Sequence, residues 1–304
     1  MPIAGAFPVL PTIFDERGAI DEGGLRRVIE WAIACGVDGL VFPGLASEYD
    51  QLSLDERLHL IGVVGELTRD RVAFVAGCGG QSDAESAALI QAAGKAGAAA
   101  AMVVTPARHG DDPEALIGFY RMLGDAADVP VMLQNAPKPM GLGLSPEQIL
   151  KLAAAAPAIR YVKEENQPCG QRITALLSAG ADLDGVFGGA GGRYITDELA
   201  RGATGTMPAS ELTDLHTRMI AAHRLGDWAT VRTLFERMLP LLNFQAVFRW
   251  RLTKEVLRRR GLIASAYTRA PGPALDRWDL QELDEILAAL EDLTGPLGAA
   301  TLAA

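Results

Sequence analysis

Five lysines stand against twenty-three arginines in this chain, and one of them occupies a position that invites covalent chemistry. Lys163 closes the apolar run Ile159-Arg160-Tyr161-Val162-Lys163, whereas Lys95 and Lys151 fall in helical patterns, Lys138 in a loop and Lys254 on a C-terminal helix. An amine at the end of a buried strand is withdrawn from water, and desolvation favours the neutral form of an amine. A neutral amine can attack a carbonyl carbon and condense to a Schiff base. The competing reading is an ion pair with Glu164 or Glu165 that only closes the strand end. Residue types alone leave the two readings level.

Side chains alternate along a strand, so Tyr161, Lys163 and Glu165 share one face and Glu164 takes the other. Glu165 therefore reaches whatever Lys163 binds, either to move a proton or merely to balance the charge. Tyr161, lower on the same face, reads as filling below the site. Gln134 ends another apolar run and can donate to a substrate hydroxyl or carbonyl, but it cannot shuttle protons. Ser47, in Gly44-Leu45-Ala46-Ser47-Glu48, is a candidate carboxylate holder together with the nearby amides around Ala46; its alternative is a turn or helix-entry cap. Gly189, within Gly188-Gly189-Ala190-Gly191-Gly192, belongs to a loop able to cradle an anion or simply to turn and pack closely.

Eight apolar runs are candidate strands: residues 7–13, 39–43, 72–77, 100–105, 130–135, 159–163, 185–188 and 205–208. Most are continuous rather than alternating, as in a parallel sheet covered on both faces. Ser53-Leu54-Asp55-Glu56, Ser82-Asp83-Ala84-Glu85 and Ser145-Pro146-Glu147-Gln148 carry capping-box chemistry, and Asp112-Pro113-Glu114 is a fourth helix start. The starts at 53, 82, 112 and 145 are spaced by about one βα unit. The pattern predicts an α/β chain, a (β/α)8 TIM barrel with three appended C-terminal helices. A doubly wound sheet is the alternative, but the first strand lacks a Gly-x-Gly-x-x-Gly turn. The barrel is expected over 1–226. A helical extension over 227–304, with helices at 228–242, 245–260 and 280–293, is expected to pack on its outside or at a subunit contact.

Composition narrows the partners. The formal net charge is −10 and no dense basic patch occurs, which argues against nucleic acid. Cys35, Cys78 and Cys169 lie far apart, as packing thiols of a cytoplasmic protein do. The four histidines make no His-Glu-x-x-His pattern, so no metal is expected. The start of the chain is broken by Pro2, Pro8 and Pro11 and does not read as a signal peptide. No apolar run is long enough to span a membrane.

Several pieces, in order, carry a family likeness: Phe7-Pro8-Val9-Leu10-Pro11-Thr12-Ile13-Phe14-Asp15, Gly36-Val37-Asp38-Gly39, Gly44-Leu45-Ala46-Ser47-Glu48, Asn135-Ala136-Pro137, Tyr161-Val162-Lys163-Glu164 and Arg269-Ala270-Pro271. From about Gly5 to Pro273 the chain resembles the dihydrodipicolinate synthase / N-acetylneuraminate lyase family. The resemblance implies that Lys163 forms a Schiff base with a 2-oxo acid, that no cofactor takes part, and that copies associate as dimers or tetramers. The chain also departs from the members that make dihydrodipicolinate. Leu45 and Ala46 replace the usual threonine pair, Gln134 replaces the strand-five tyrosine, a second tyrosine falls around Ala107-Arg108, and the expected arginine falls near Pro139, beside Lys138.

Ser47-Glu48, Gln134-Asn135-Ala136-Pro137 and Lys163-Glu164-Glu165 are closer to the branch that dehydrates 2-keto-3-deoxy sugar acids. Dehydration of such an acid is therefore the expected activity, with a pyruvate-dependent aldolase as the second expectation. A non-catalytic sugar-acid-binding barrel and a phosphate-binding isomerase using the 188–192 loop stand as alternatives.

Overall fold

Runs of Val, Met, Phe and Ala, each only a few residues long, form eight strands that are buried on both faces. The computed structural model describes residues 3–110, 112–180 and 182–294. The strands are β1 (Gly5–Ala6), β2 (Gly39–Phe42), β3 (Ala73–Gly77), β4 (Ala100–Val104), β5 (Val131–Asn135), β6 (Ile159–Glu164), β7 (Gly185–Gly188) and β8 (Gly205–Thr206). All pair in parallel, in the order β1-β8-β7-β6-β5-β4-β3-β2. A parallel bridge between Val9 and Val41 joins the two ends of that order, with Leu10 N–H donating to Val41 O at 3.0 Å. The result is a (β/α)8 barrel.

Between the strands run α1 (Glu22–Ala34), α2 (Leu54–Thr68), α3 (Asp83–Lys95), α4 (Pro113–Ala126), α5 (Pro146–Ala155), α6 (Cys169–Ser178), α7 (Ile195–Ala200) and α8 (Thr213–Arg224). Their starts follow from local chemistry. Ser53 accepts from Glu56 N–H at 3.1 Å while the Glu56 carboxylate accepts from Ser53 N–H at 2.9 Å, and Ser145 and Gln148 are paired in the same way. At Ser82 the reciprocal half differs: the Glu85 carboxylate accepts from Gln81 N–H, one residue early.

Alternation sorts the strand residues into two cores. Val41, Val75, Met102, Met132, Tyr161 and Phe187 point inward and pack together with Phe7 and Met207. Their neighbours in sequence, such as Phe42, Ala76, Leu133 and Val162, join the layer against the helices. Lys163 follows Val162, so strand geometry alone sends it into the barrel.

Several elements differ from the sequence pattern. The first strand is Gly5–Ala6 with an isolated bridge at Val9, not 7–13, because Pro8 and Pro11 have no N–H for a ladder. After α8, one helix α9 (Trp228–Phe248) runs through Pro240 and past the expected break near residue 243. It ends only at Arg249, whose φ of 51° turns the chain into α10 (Trp250–Arg259). Next come α11 (Arg277–Ala288) and a short α12 (Glu291–Thr294) in place of the single helix expected at 280–293, so four helices rather than three follow α8 among the described residues. Leu234, Met238, Leu241, Leu252 and Leu283 of this extension share a core with Leu199 of α7 and Leu215 of α8. Among the described residues no helix is long and apolar enough to cross a membrane.

Candidate active site

Lys163 lies on β6 in register with Gln134 of β5 and Phe187 of β7. It is only 2% exposed, and its Nζ stands 3.1 Å from Glu165 Oε1. Gln134, on the same inward face, donates from Nε2 to Glu165 Oε2 at 3.0 Å. Each oxygen of Glu165 therefore has its own partner, which fixes the carboxylate plane. Glu165 lies one residue beyond β6, where its N–H donates to Asn135 O at 3.2 Å. The structure thus brings Lys163, Glu165 and Gln134 together.

Gly189 has another place. A Cβ there would sit 2.5 Å from Glu165 Cγ, so its bare backbone makes room for Glu165. The next residues, Ala190 and Gly191, line the cavity instead.

The outward residues anchor this strand end. Glu164 is fully buried and accepts from Asn135 Nδ2 at 2.9 Å and from Asn166 N–H at 2.8 Å, and it pairs with Arg172 at 3.2 Å. Asn135 Oδ1 accepts from Leu144 N–H at 2.9 Å. A buried carboxylate with this many donors holds β5, β6 and the following loops in one arrangement, and the inward trio rides on it.

Ser47 corrects the expectation of a carboxylate holder. Its hydroxyl donates to Leu10 O at 2.5 Å and accepts from Gly44 N–H at 2.8 Å, and its carbonyl accepts from Thr12 Oγ1 at 2.6 Å. With zero exposure and these partners, it caps the turn Leu45–Ser47. Leu45 and Ala46 line the cavity, and the leading amides of a helical turn have no acceptor within it.

Behind this turn, Glu48 adopts a left-handed φ of 55° and accepts from Lys254 Nζ at 2.5 Å and Ala270 N–H at 2.7 Å. Lys254 also donates to Tyr267 O at 2.8 Å and lies over the Phe14 ring. Both members of the pair are fully buried, and burial pulls the Lys254 ammonium down to about 8 against the opposing charge of Glu48.

The cavity at the barrel mouth is about 310 Å³. Lys163 and Glu165 form one wall, Leu45 and Ala46 another, and Arg193, Gln245 and Arg249 a third. The corner between α9 and α10 thus reaches over the mouth, not only the outside of the barrel. Nothing in the pattern of 228–260 marks Arg249 for this place; Arg193 carried a faint signal, directly after the glycine cluster. Tyr49 lies under the Arg57 guanidinium, beside a second cavity of about 400 Å³, and shares a small recess with Leu45 and Gln134. Arg108 pairs with Asp83 at 2.6 Å. Among the described residues no cluster of His, Cys, Asp and Glu is arranged to hold a metal ion.

Chemically, the site offers an amine with a carboxylate in position to take its proton, an amide donor, and the backbone of Leu45 and Ala46 across an open cavity. Comparison with known proteins places the chain as a whole. The model of the "Dihydrodipicolinate synthetase family" matches residues 2–290. An L-2-keto-3-deoxyarabonate dehydratase from Azospirillum brasilense is 31% identical over 295 residues, covering 95% of this chain and 95% of that protein. A 4-hydroxy-tetrahydrodipicolinate synthase from Maridesulfovibrio salexigens is 32% identical over 243 residues, 79% of this chain and 82% of that one. Among solved structures, a putative dihydrodipicolinate synthetase from Pseudomonas aeruginosa superposes with a TM-score of 0.88 at 28% identity, covering 95% of this chain and 100% of that chain.

Proposed function

The chain belongs to the dihydrodipicolinate synthetase family, and from that premise we propose that it is a class I lyase that dehydrates a 2-keto-3-deoxy sugar acid through a Schiff base at Lys163. The observation that carries the reading is the buried Lys163 amine, 3.1 Å from Glu165 and open to a cavity of about 310 Å³.

The Leu45 and Ala46 amides bind the substrate carboxylate and hold the neighbouring C2 carbonyl at Lys163. Glu165 takes the proton that the ammonium must shed. The amine adds to C2, Glu165 returns its proton to the oxygen that leaves as water, and an iminium forms. This cation draws electrons from C3, whose proton passes to Glu165 as an enamine forms. The enamine expels the C4 hydroxyl, which departs as water with the proton from Glu165. Hydrolysis of the unsaturated iminium restores the amine. The covalent stage divides one difficult elimination into easier ones. Gln134, bonded to Glu165 Oε2, orients the carboxylate and offers its second N–H to the departing oxygen. No metal or organic cofactor is needed, and the partner is a small-molecule 2-oxo acid.

The aldol reading, in which the C3–C4 bond breaks to release pyruvate, draws support from the relatives named as synthases. The dehydratase relative matches more of the chain at nearly equal identity, which supports dehydration. Incubation with 2-keto-3-deoxypentonates and hexonates separates the two. Loss of one water without pyruvate is expected; release of pyruvate and an aldehyde overturns dehydration. Glu165→Gln is expected to lower kcat by about 10²–10⁴-fold, the range of general acid–base catalysis.

A further inference from the structure

The two glycines at the end of β7 have a glutamate against each side. A Cβ at Gly189 would stand 2.5 Å from Glu165 Cγ, toward the cavity, and a Cβ at Gly188 would stand 1.9 Å from Glu198 Oε2, toward the helices. Glu198 projects from α7, is buried, and forms no ion pair with a lysine or arginine among the described residues. Its surroundings have no cation to spare. Asp197, beside it on α7, is bound to Arg201 at 2.9 Å, and Glu164, at the end of β6, is bound to Arg172 at 3.2 Å. The Cys169 thiol of α6 is the one donor beside the carboxyl, and burial pushes that thiol up, so it keeps its proton. Thr206 of β8, in register with Gly188, has a fully buried hydroxyl without a partner of its own. A carboxylate only accepts, whereas a neutral carboxyl also donates. A thiol, a hydroxyl and no counter-ion suit the neutral form.

We infer that Glu198 is a positioning residue for the reaction: its uncharged carboxyl, packed on Gly188, backs the Gly188–Gly189 segment against which Glu165 rests. This assignment rests on the Schiff-base reading above. Ionisation of Glu198 sets a second negative charge behind Glu165. Glu165 then parts with its proton less readily, both to the oxygen leaving C2 and to the C4 hydroxyl, and Lys163 holds its ammonium proton more tightly. Each effect slows turnover. Burial, with the charges of Asp197 and Glu165, raises the Glu198 carboxyl to about 7, so the change falls where an assay can follow it.

The test follows consumption of a 2-keto-3-deoxypentonate, whichever bond breaks, and separates kcat from KM between about pH 6 and 8.5, a range that spans the Glu198 ionisation. Wild-type kcat is expected to fall by about tenfold as Glu198 ionises, the effect of about one unit of proton affinity at Glu165, with little change in KM. Glu198→Gln keeps the shape and cannot ionise; it is expected to match wild type at the acid end and to remove the fall. Glu198→Ala leaves the glycines unsupported and is expected to lower kcat by about 10- to 100-fold across the range, the scale of a small misplacement of a reacting group, while borohydride still traps pyruvate on Lys163.

A Glu198→Gln profile that keeps the wild-type fall, or a wild-type kcat that does not fall, overturns the inference. So does a folded Glu198→Ala with wild-type kcat at the acid end; if that variant does not fold, the Gln profile decides alone. If borohydride still traps pyruvate on wild-type Lys163 in these cases, the Schiff-base reading stands. Absence of the wild-type adduct overturns both.

Discussion

Replacing Glu48 by Gln keeps the shape of the buried clamp and removes its negative charge. In the native chain, Glu48 faces two donors, Lys254 Nζ at 2.5 Å and Ala270 N–H at 2.7 Å, with zero exposure for both members of the pair. Gln can accept from only one of these donors and presents its own NH₂ to the other. The Lys254 ammonium then has no counter-charge and must lose its proton. Its native value is about 8; a buried lysine without a partner falls to about 6 or below. The unfolded chain keeps its proton up to about 10.4 in either case.

The pH dependence follows from these three values. Between about pH 6 and 8 the wild-type native state holds the same proton as its unfolded state, so this group adds no slope. The variant's native state has lost the proton while its unfolded state retains it, so variant stability rises by about 1.4 kcal/mol per pH unit. Above about pH 8 both rise together. The variant is therefore about 3 kcal/mol less stable than wild type at pH 6, as expected when half of a buried pair is removed, and within about 1 kcal/mol above pH 8. Urea unfolding at matched protein concentration, with equal m-values as the two-state check, measures the gap. A gap independent of pH from 6 to 9, or one under about 1 kcal/mol at pH 6, refutes the reasoning. Glu48 also follows the turn Leu45–Ser47, so KM for a 2-oxo acid is expected to rise in the variant.

Two other substitutions have clear directions. A Gly189→Ala methyl would meet Glu165 Cγ at 2.5 Å and displace the carboxylate by roughly 1 Å, enough to cost about 10²-fold in turnover. The borohydride adduct at Lys163 should still form, and steady-state assay beside trapping checks both halves. Glu198 on α7 is 1% exposed, and the one donor beside its carboxylate is the Cys169 thiol, which also points to Glu164 O at 3.3 Å. Burial raises its carboxyl from 4.5 to about 7, so its native state loses stability as pH climbs between those values, by about 3 kcal/mol in all. Glu198→Gln is expected to match wild type below about pH 4.5 and exceed it by about that amount above pH 7, as read by urea unfolding.

How much of this could be read from residue order depends on the range of the force involved. Helix starts were legible because Ser53, Ser82, Asp112 and Ser145 act within one turn of chain. The inward aim of Lys163 and Glu165 was legible because strand parity is local, and the apolar run marked the strand. Ser47 was not, since its partners Leu10 and Thr12 belong to another segment, and a serine looks the same capping a turn or binding a ligand. Gly189 misled for a similar reason: only packing reveals that its missing Cβ makes room for Glu165. Arg249 was hidden most deeply. Its place over the mouth depends on a left-handed break in a long helix that no glycine, and no proline at that position, announces.

The Schiff base itself admits the most direct measurement. Borohydride reduction in the presence of pyruvate or a 2-keto-3-deoxy acid, followed by peptide mass mapping, should place a single covalent adduct on the peptide containing Lys163, and Lys163→Ala should abolish it. An unmodified Lys163, or label spread among Lys95, Lys138, Lys151 and Lys254, would contradict the account.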